Sequence, residues 1–186
     1  DNPKAKIIIC HLGNGASLCA VDSGKSVDTS MGLTPLEGIP MGTRSGNIDP
    51  SVLMLIADKE DKSFAEALDD LNKRSGAFGV SGISNDSRDI IKAMNEGNHR
   101  AKLAFDIQIK RIADYIGSYY VYMGGLDAII FTAGIGENEK LVRKSILDAV
   151  KVLGTEVDPV ENAKRGERLI TTVNSKIKGF IIPTNE

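Results

Sequence analysis

Four short segments carry residues whose types and spacing suit the handling of phosphate. The first is His11-Leu12-Gly13-Asn14-Gly15. A turn built on Gly-Asn-Gly leaves backbone N–H groups uncovered by side chains, and such groups can cradle phosphate oxygens. The same residues also read as a plain type I′ hairpin turn that binds nothing. The second segment is Gly42-Thr43-Arg44-Ser45-Gly46. Its glycines leave Arg44 on a sterically open loop. There a guanidinium can grip a phosphoryl or carboxylate group bidentately, or simply be solvated.

The third segment runs from Ser81 to Asp89. Asp86 is placed either to N-cap a helix or, together with Arg88, to face a nucleoside, the acid taking ribose hydroxyls. The fourth is Phe131-Thr132-Ala133 followed by Gly134, Ile135, Gly136, Glu137 and Asn138. A buried strand there ends in a Gly-x-Gly turn that opens a helix. Free N–H groups and the helix dipole favour an anion at such a point. In α/β sheets, ligands collect at the C-terminal ends of strands.

These segments need a scaffold, and the pattern of the chain supplies one. Residues 6–12 and 16–22 are strand-like runs joined at Gly13–Gly15, and Ser23-Gly24-Lys25 leads to a third strand at 26–30. An antiparallel meander follows. Residues 31–50 are too rich in Gly and Pro for a regular element. Asp49-Pro50 starts a helix to about residue 59, with Asp49 as N-cap and Pro50 at the first position. A second helix covers about 63–73, residues 75–85 form a Gly/Ser-rich loop, and a short helix covers about 86–95.

Phe105, Ile109, Ile112, Ile116, Tyr119 and Met123 recur at three- and four-residue steps, which predicts one long helix over about 98–123. Residues 127–132 read as a fully buried strand, 133–138 as a turn, and 139–153 as a helix closed by Gly154. Two short strands lie near 168–173 and 177–182. The order β-β-β, helices, β, α, β, β defines an α/β three-layer domain. There is no low-complexity segment, linker or internal repeat.

Composition narrows the function. A net charge of −2 argues against nucleic acid as a partner. No apolar run approaches a membrane span, and no secretory leader opens the chain. His11 and His99 have no Cys or His at metal-ligand spacing. Gly24-Lys25-Ser26 lacks the upstream glycine of a P-loop and reads as a hairpin turn. Cys10 and Cys19 read either as a disulfide pair or, better suited to a metabolic protein, as two buried free thiols, and the free-thiol reading points to the cytoplasm.

Taken together and in this order, the four segments resemble the acetate kinase (acetokinase) family. The likeness covers the whole chain. The stretch from Asp28-Thr29-Ser30-Met31-Gly32-Leu33-Thr34-Pro35-Leu36-Glu37-Gly38 through Arg44-Ser45-Gly46-Asn47-Ile48-Asp49-Pro50 is similar to the family's longest signature. The resemblance implies an RNase H-like domain of the actin/Hsp70/sugar-kinase superfold, with residues 1–186 forming the C-terminal nucleotide-binding domain. It implies ATP/ADP and Mg²⁺ as cofactors, and reversible phosphoryl transfer from ATP to acetate. Propionate kinase, a pyrophosphate-using relative and a non-catalytic nucleotide-binding module are the alternatives.

Residue by residue, the resemblance implies that Arg44 stabilises the transition state. It implies that His11–Gly15 and Gly134–Asn138 hold phosphates and that Asp86, Ser87 and Arg88 contact adenosine. An acidic residue at the Thr184-Asn185-Glu186 end, either Glu186 or the residue after it, would bind Mg²⁺. It also implies a homodimer for the full-length parent. Further phosphate and catalytic residues, and a final helix, are expected outside this chain. The start at Asp1 without Met and the stop directly after a strand-like run lead to the same expectation of a fragment lacking the acceptor side.

Overall fold

A computed structural model describes residues 2–184. In chain order its strands and α-helices are β1 (Lys6–Leu12), β2 (Ala16–Asp22), β3 (Lys25–Thr29), α1 (Ser51–Glu60), α2 (Phe64–Lys73), α3 (Gly76–Ser81), α4 (Ser87–Asn95), α5 (His99–Met123), β4 (Ala128–Thr132), α6 (Ala133–Asn138), α7 (Lys140–Ala149), α8 (Pro159–Asn162), β5 (Arg168–Leu169) and β6 (Lys178–Ile181), with a 3-10 turn at Lys151–Leu153. They divide into two compact units, residues 1–30 with 109–186 and residues 31–108.

The first unit is built on a six-stranded sheet in the order β3-β2-β1-β4-β6-β5. β1, β2 and β3 form the expected antiparallel meander. β4 pairs in parallel with β1, and β6 pairs in parallel with β4. The core follows strand periodicity. Ile8, Cys10 and Leu12 of β1, Leu18 and Ala20 of β2, and Ile129 and Phe131 of β4 are buried at alternate positions. β4 was expected to be buried throughout, but Ala128 and Ile130 are half-buried. The apolar face of the 109–123 stretch of α5 is buried as its spacing predicts. Cys10 and Cys19 are both free thiols. Cys10 is fully buried, whereas Cys19 is half-buried beside Ser26, its Sγ 3.2 Å from the serine Oγ.

The second unit holds α1 to α4 around the 31–50 loop. α1 begins one residue later than expected, at Ser51, yet the Asp49 carboxylate still accepts the Ser51 N–H at 2.9 Å. Ser63 and Glu66 form a reciprocal capping box at the start of α2. The Gly/Ser-rich stretch at 75–85 is not wholly loop, because residues 76–81 form α3. Its first turn is fixed from outside: the N–H groups of Ala77 and Phe78 donate to the carbonyls of Met41 and Gly42 at 2.9 Å. Partners of this kind offset the helix penalty of glycine.

Candidate nucleotide site and catalytic loop

In the first unit, the parallel pairing of β1 and β4 sets His11 opposite Thr132. Both strands therefore deliver their following loops to the same edge of the sheet. The connection Gly13–Gly15 joins β1 to β2 and is closed by the Gly13 N–H donating to the Gly15 carbonyl at 3.0 Å. A β-carbon built on Gly13 would lie 3.7 Å from that of Ala133, at the start of the other loop. The two glycine segments are thus neighbours.

Neither loop has the local form its sequence suggests. Gly13 and Asn14 do not use left-handed backbone, so the turn is not type I′. The hairpin with that geometry is the β2–β3 turn, where Ser23 (φ 52°) and Gly24 (φ 77°) occupy it. Residues 133–138, read as a turn, are the short helix α6. Entry into it forces Ala133 to φ 64°, a strained value for a residue with a β-carbon.

Exposure sorts the sequence-derived binding residues. Asn14, Gly134 and Asn138 are exposed, and His11, Gly13, Gly15, Ile135 and Glu137 are half-buried. Leu12 and Gly136 are buried, so the Leu12 side chain belongs to the core and only its backbone is available to a ligand. The α6 segment is held at three points. The Asn138 side-chain amide donates to the Gly134 carbonyl at 2.9 Å. The Glu137 carboxylate accepts the Thr184 N–H at 3.1 Å. The Arg143 guanidinium donates to the Gly136 carbonyl at 3.0 Å. Sequence reasoning missed Arg143. Its one signal was a charged residue among the buried positions of α7, beside Val142, Ile146 and Leu147.

In the second unit, the backbone of the Arg44 loop is pinned. The Met41 N–H donates to the Arg44 carbonyl, the Ser45 N–H to the Leu71 carbonyl, and the Ser75 N–H to the Thr43 carbonyl, all near 2.9–3.0 Å. Gly38 and Asn47 close the loop through paired bonds of 2.9 and 2.8 Å. The Arg44 side chain is half-buried, and its Nη1 lies 3.5 Å from the Met41 Sδ. A cavity of about 560 Å³ opens beside this loop, lined among others by Thr34, Leu36, Ser45, Asn47, Leu53 and Leu68.

Asp86 is the N-cap of α4, accepting the Arg88 N–H at 2.8 Å. Its carboxylate also pairs with the Arg88 guanidinium. That hydrogen-bonded cation, with the backbone cap, pulls the Asp86 carboxyl down to about 2. The capping reading of Asp86 therefore holds. Arg88 remains largely exposed at the surface with Ser87 half-buried before it.

Among the described residues, no group of three His, Cys, Asp or Glu side chains is arranged to hold a metal ion. Glu186, the expected Mg²⁺ ligand, lies outside the described residues. No described helix is long and apolar enough to cross a membrane.

A meander followed by two strands parallel to β1, with ligand-type loops at the ends of β1 and β4, defines an RNase H-like domain of the actin/Hsp70/sugar-kinase superfold. The model of the acetokinase family matches residues 1–186. An acetate kinase of Chlorante-Aster yellows phytoplasma is 63% identical over 183 residues, which is 98% of this chain and 45% of the relative. The crystal structure of Porphyromonas gingivalis acetate kinase superposes with a TM-score of 0.94 at 42% identity, covering 100% of this chain and 47% of that one. A propionate kinase from Francisella tularensis subsp. tularensis SCHU S4 gives 0.92 at 46% identity, covering 98% and 47%. The chain belongs to the acetokinase family. It spans about half the length of the relatives it matches.

Proposed function

We propose that this chain is the nucleotide-binding half of an acetate kinase, catalysing reversible phosphoryl transfer from ATP to acetate. The observation that carries the reading is the meeting of the Gly13–Gly15 and Gly134–Asn138 segments at one sheet edge, the Gly13 β-carbon position 3.7 Å from Ala133. Open backbone from two loops suits a polyphosphate better than a neutral ligand. In the forward reaction an acetate oxygen attacks the γ-phosphorus. The bond from that phosphorus to the β–γ bridging oxygen breaks, and ADP leaves with the electron pair.

Such a transfer depends on positioning and on neutralising charge over the phosphoryl oxygens. Asn14 and the two glycine segments hold the phosphates. Arg44, on a loop rigid enough to aim it, neutralises the charge that develops on the transferring group. The segment Asp86-Ser87-Arg88 contacts the nucleoside, with Asp86 keeping its cap of α4 and using its remaining acceptor capacity. Mg²⁺ suits a site made of one carboxylate, phosphate oxygens and water. The described residues offer no cluster for it. The free thiols Cys10 and Cys19 fit a reducing cytoplasm.

The test is to trap acetyl phosphate as its hydroxamate after supplying ATP, Mg²⁺ and acetate to a full-length acetokinase carrying this sequence. Product that is lost on Arg44→Ala supports the reading. Propionate consumed with the higher kcat/KM makes the protein a propionate kinase. ATP binding without any acyl phosphate makes it a nucleotide-binding module, and the proposal fails.

A further inference from the structure

Arg143 is the most thoroughly buried cation among the described residues, 1% exposed, and the phosphoryl chemistry above leaves it unused. Its guanidinium makes three hydrogen bonds, all to neutral oxygens. Nε donates to the Asn162 Oδ1 at 2.8 Å, Nη2 to the Asn162 carbonyl at 2.7 Å, and Nη1 to the Gly136 carbonyl at 3.0 Å. The Asn162 amide in turn donates to the Lys140 carbonyl at 2.9 Å. One side chain thereby ties α6, α7 and α8 together.

A buried charge without an ionic partner is costly, and an apolar residue of similar volume would fill the space more cheaply. Burial pushes the Arg143 pKa below its usual range, and Glu139 only partly offsets this. The guanidinium nevertheless stays charged at neutral pH. Its positive end lies directly behind a carbonyl of the Gly134–Asn138 segment. An anion bound on the open side of that segment would supply the missing counter-charge through a medium less polar than water.

We infer that Arg143 is a positioning residue for the phosphate chain of the nucleotide: it holds the Gly136 carbonyl and sets a positive charge beneath the Gly134–Asn138 segment. The inference rests on the nucleotide reading of that segment. Asn162 is the part that aims the guanidinium, since it fixes two of the three donors from the far side.

The experiment uses the full 186-residue chain, with ATP and adenosine titrated calorimetrically into wild type, Arg143→Lys and Asn162→Ala, and folding checked by circular dichroism. Lysine keeps the charge but cannot make the three bonds. Arg143→Lys is expected to raise the ATP dissociation constant about tenfold, the scale of a lost charged hydrogen bond. Adenosine affinity should stay within about twofold. Asn162→Ala should weaken ATP in the same selective way. If Arg143→Lys does not fold, Asn162→Ala decides alone.

Variants that bind ATP within about twofold of wild type overturn the inference. So does equal loss of ATP and adenosine, or failure of both variants to fold, because each marks a purely structural role. Wild type that binds neither ligand is a separate result: it overturns the nucleotide reading itself, and this inference with it.

Discussion

Gly13 and Ala133 face each other across the ends of two parallel strands. A β-carbon on Gly13 would come 3.7 Å from the Ala133 β-carbon and 3.2 Å from the Gly15 carbonyl oxygen. The second distance is tight, so any side chain at 13 must push the hairpin tip. A branched one would crowd both loops. Gly13→Val should fold, because the tip lies beyond the paired residues of the sheet. Its ATP affinity should fall by about tenfold or more, the scale of one or two strong contacts. Calorimetric titration checks this, and unchanged affinity would remove the hairpin tip from the binding site.

Gly76 is the residue that lets the Arg44 loop close. It sits at φ 58°, and a β-carbon there would lie 2.2 Å from the Met41 carbonyl oxygen and 2.7 Å from that of Arg44. These are backbone atoms with no rotamer to give way. Gly76→Ala should therefore cost about 3 kcal/mol or more, combining left-handed strain with overpacking. Denaturant unfolding measures the loss. The control is Gly24→Ala: Gly24 also has positive φ (77°) but open space around it, so the cost should be only about 1 kcal/mol.

Arg44 should act on the chemical step. In a full-length acetokinase carrying this sequence, Arg44→Ala should lower kcat by on the order of 10³-fold with a much smaller change in the KM for ATP. Steady-state kinetics with both substrates varied gives the comparison. A kcat within about threefold of wild type would contradict the assigned role.

The sequence is most legible where periodicity repeats. The meander, the buried face of α5 and the strand at Ala128–Thr132 follow directly from apolar spacing. It is least legible where tertiary bonds override local preference. Gly76–Ser81 and Ala133–Asn138 read as loops because glycine disfavours helix, yet bonds to the Met41 and Gly42 carbonyls hold α3 in place. Asn14-Gly15 reads as a primed turn, but the positive φ values fall at Ser23-Gly24 instead. For the site, residue types located Arg44 and both glycine segments. The one signal for Arg143, a charge on the buried face of α7, did not show that it reaches back to Gly136.

Asp86 makes stability depend on acid. Its carboxyl is lowered to about 2 in the folded chain, chiefly by the Arg88 side chain, against about 4 when unfolded. The folded state therefore gains stability that is complete above about pH 4 and lost as pH falls through about 2. Asp86→Asn keeps a competent N-cap but loses the charge that Arg88 holds, so it should flatten that part of the pH–stability curve by lowering stability above about pH 4 towards its acid value. Asp86→Ala should flatten the curve in the same way and cost about 1 kcal/mol more than Asp86→Asn at every pH through the lost cap. Thermal unfolding from pH 2 to 7 separates the two variants. A wild-type slope in Asp86→Asn would show that another group carries the dependence.

The most direct test of the account is an NMR titration of the uniformly ¹⁵N-labelled chain with ADP, followed amide by amide. If the two glycine segments form one phosphate site, the amides of Gly13, Asn14 and Gly15 should shift together with those of Gly134 to Asn138, all with one dissociation constant. The exposed Ser23-Gly24 turn, an equally open glycine hairpin on the same sheet, should stay unmoved. Shifts absent from either segment at saturating ADP, or fitted by different constants in the two, would contradict a shared site.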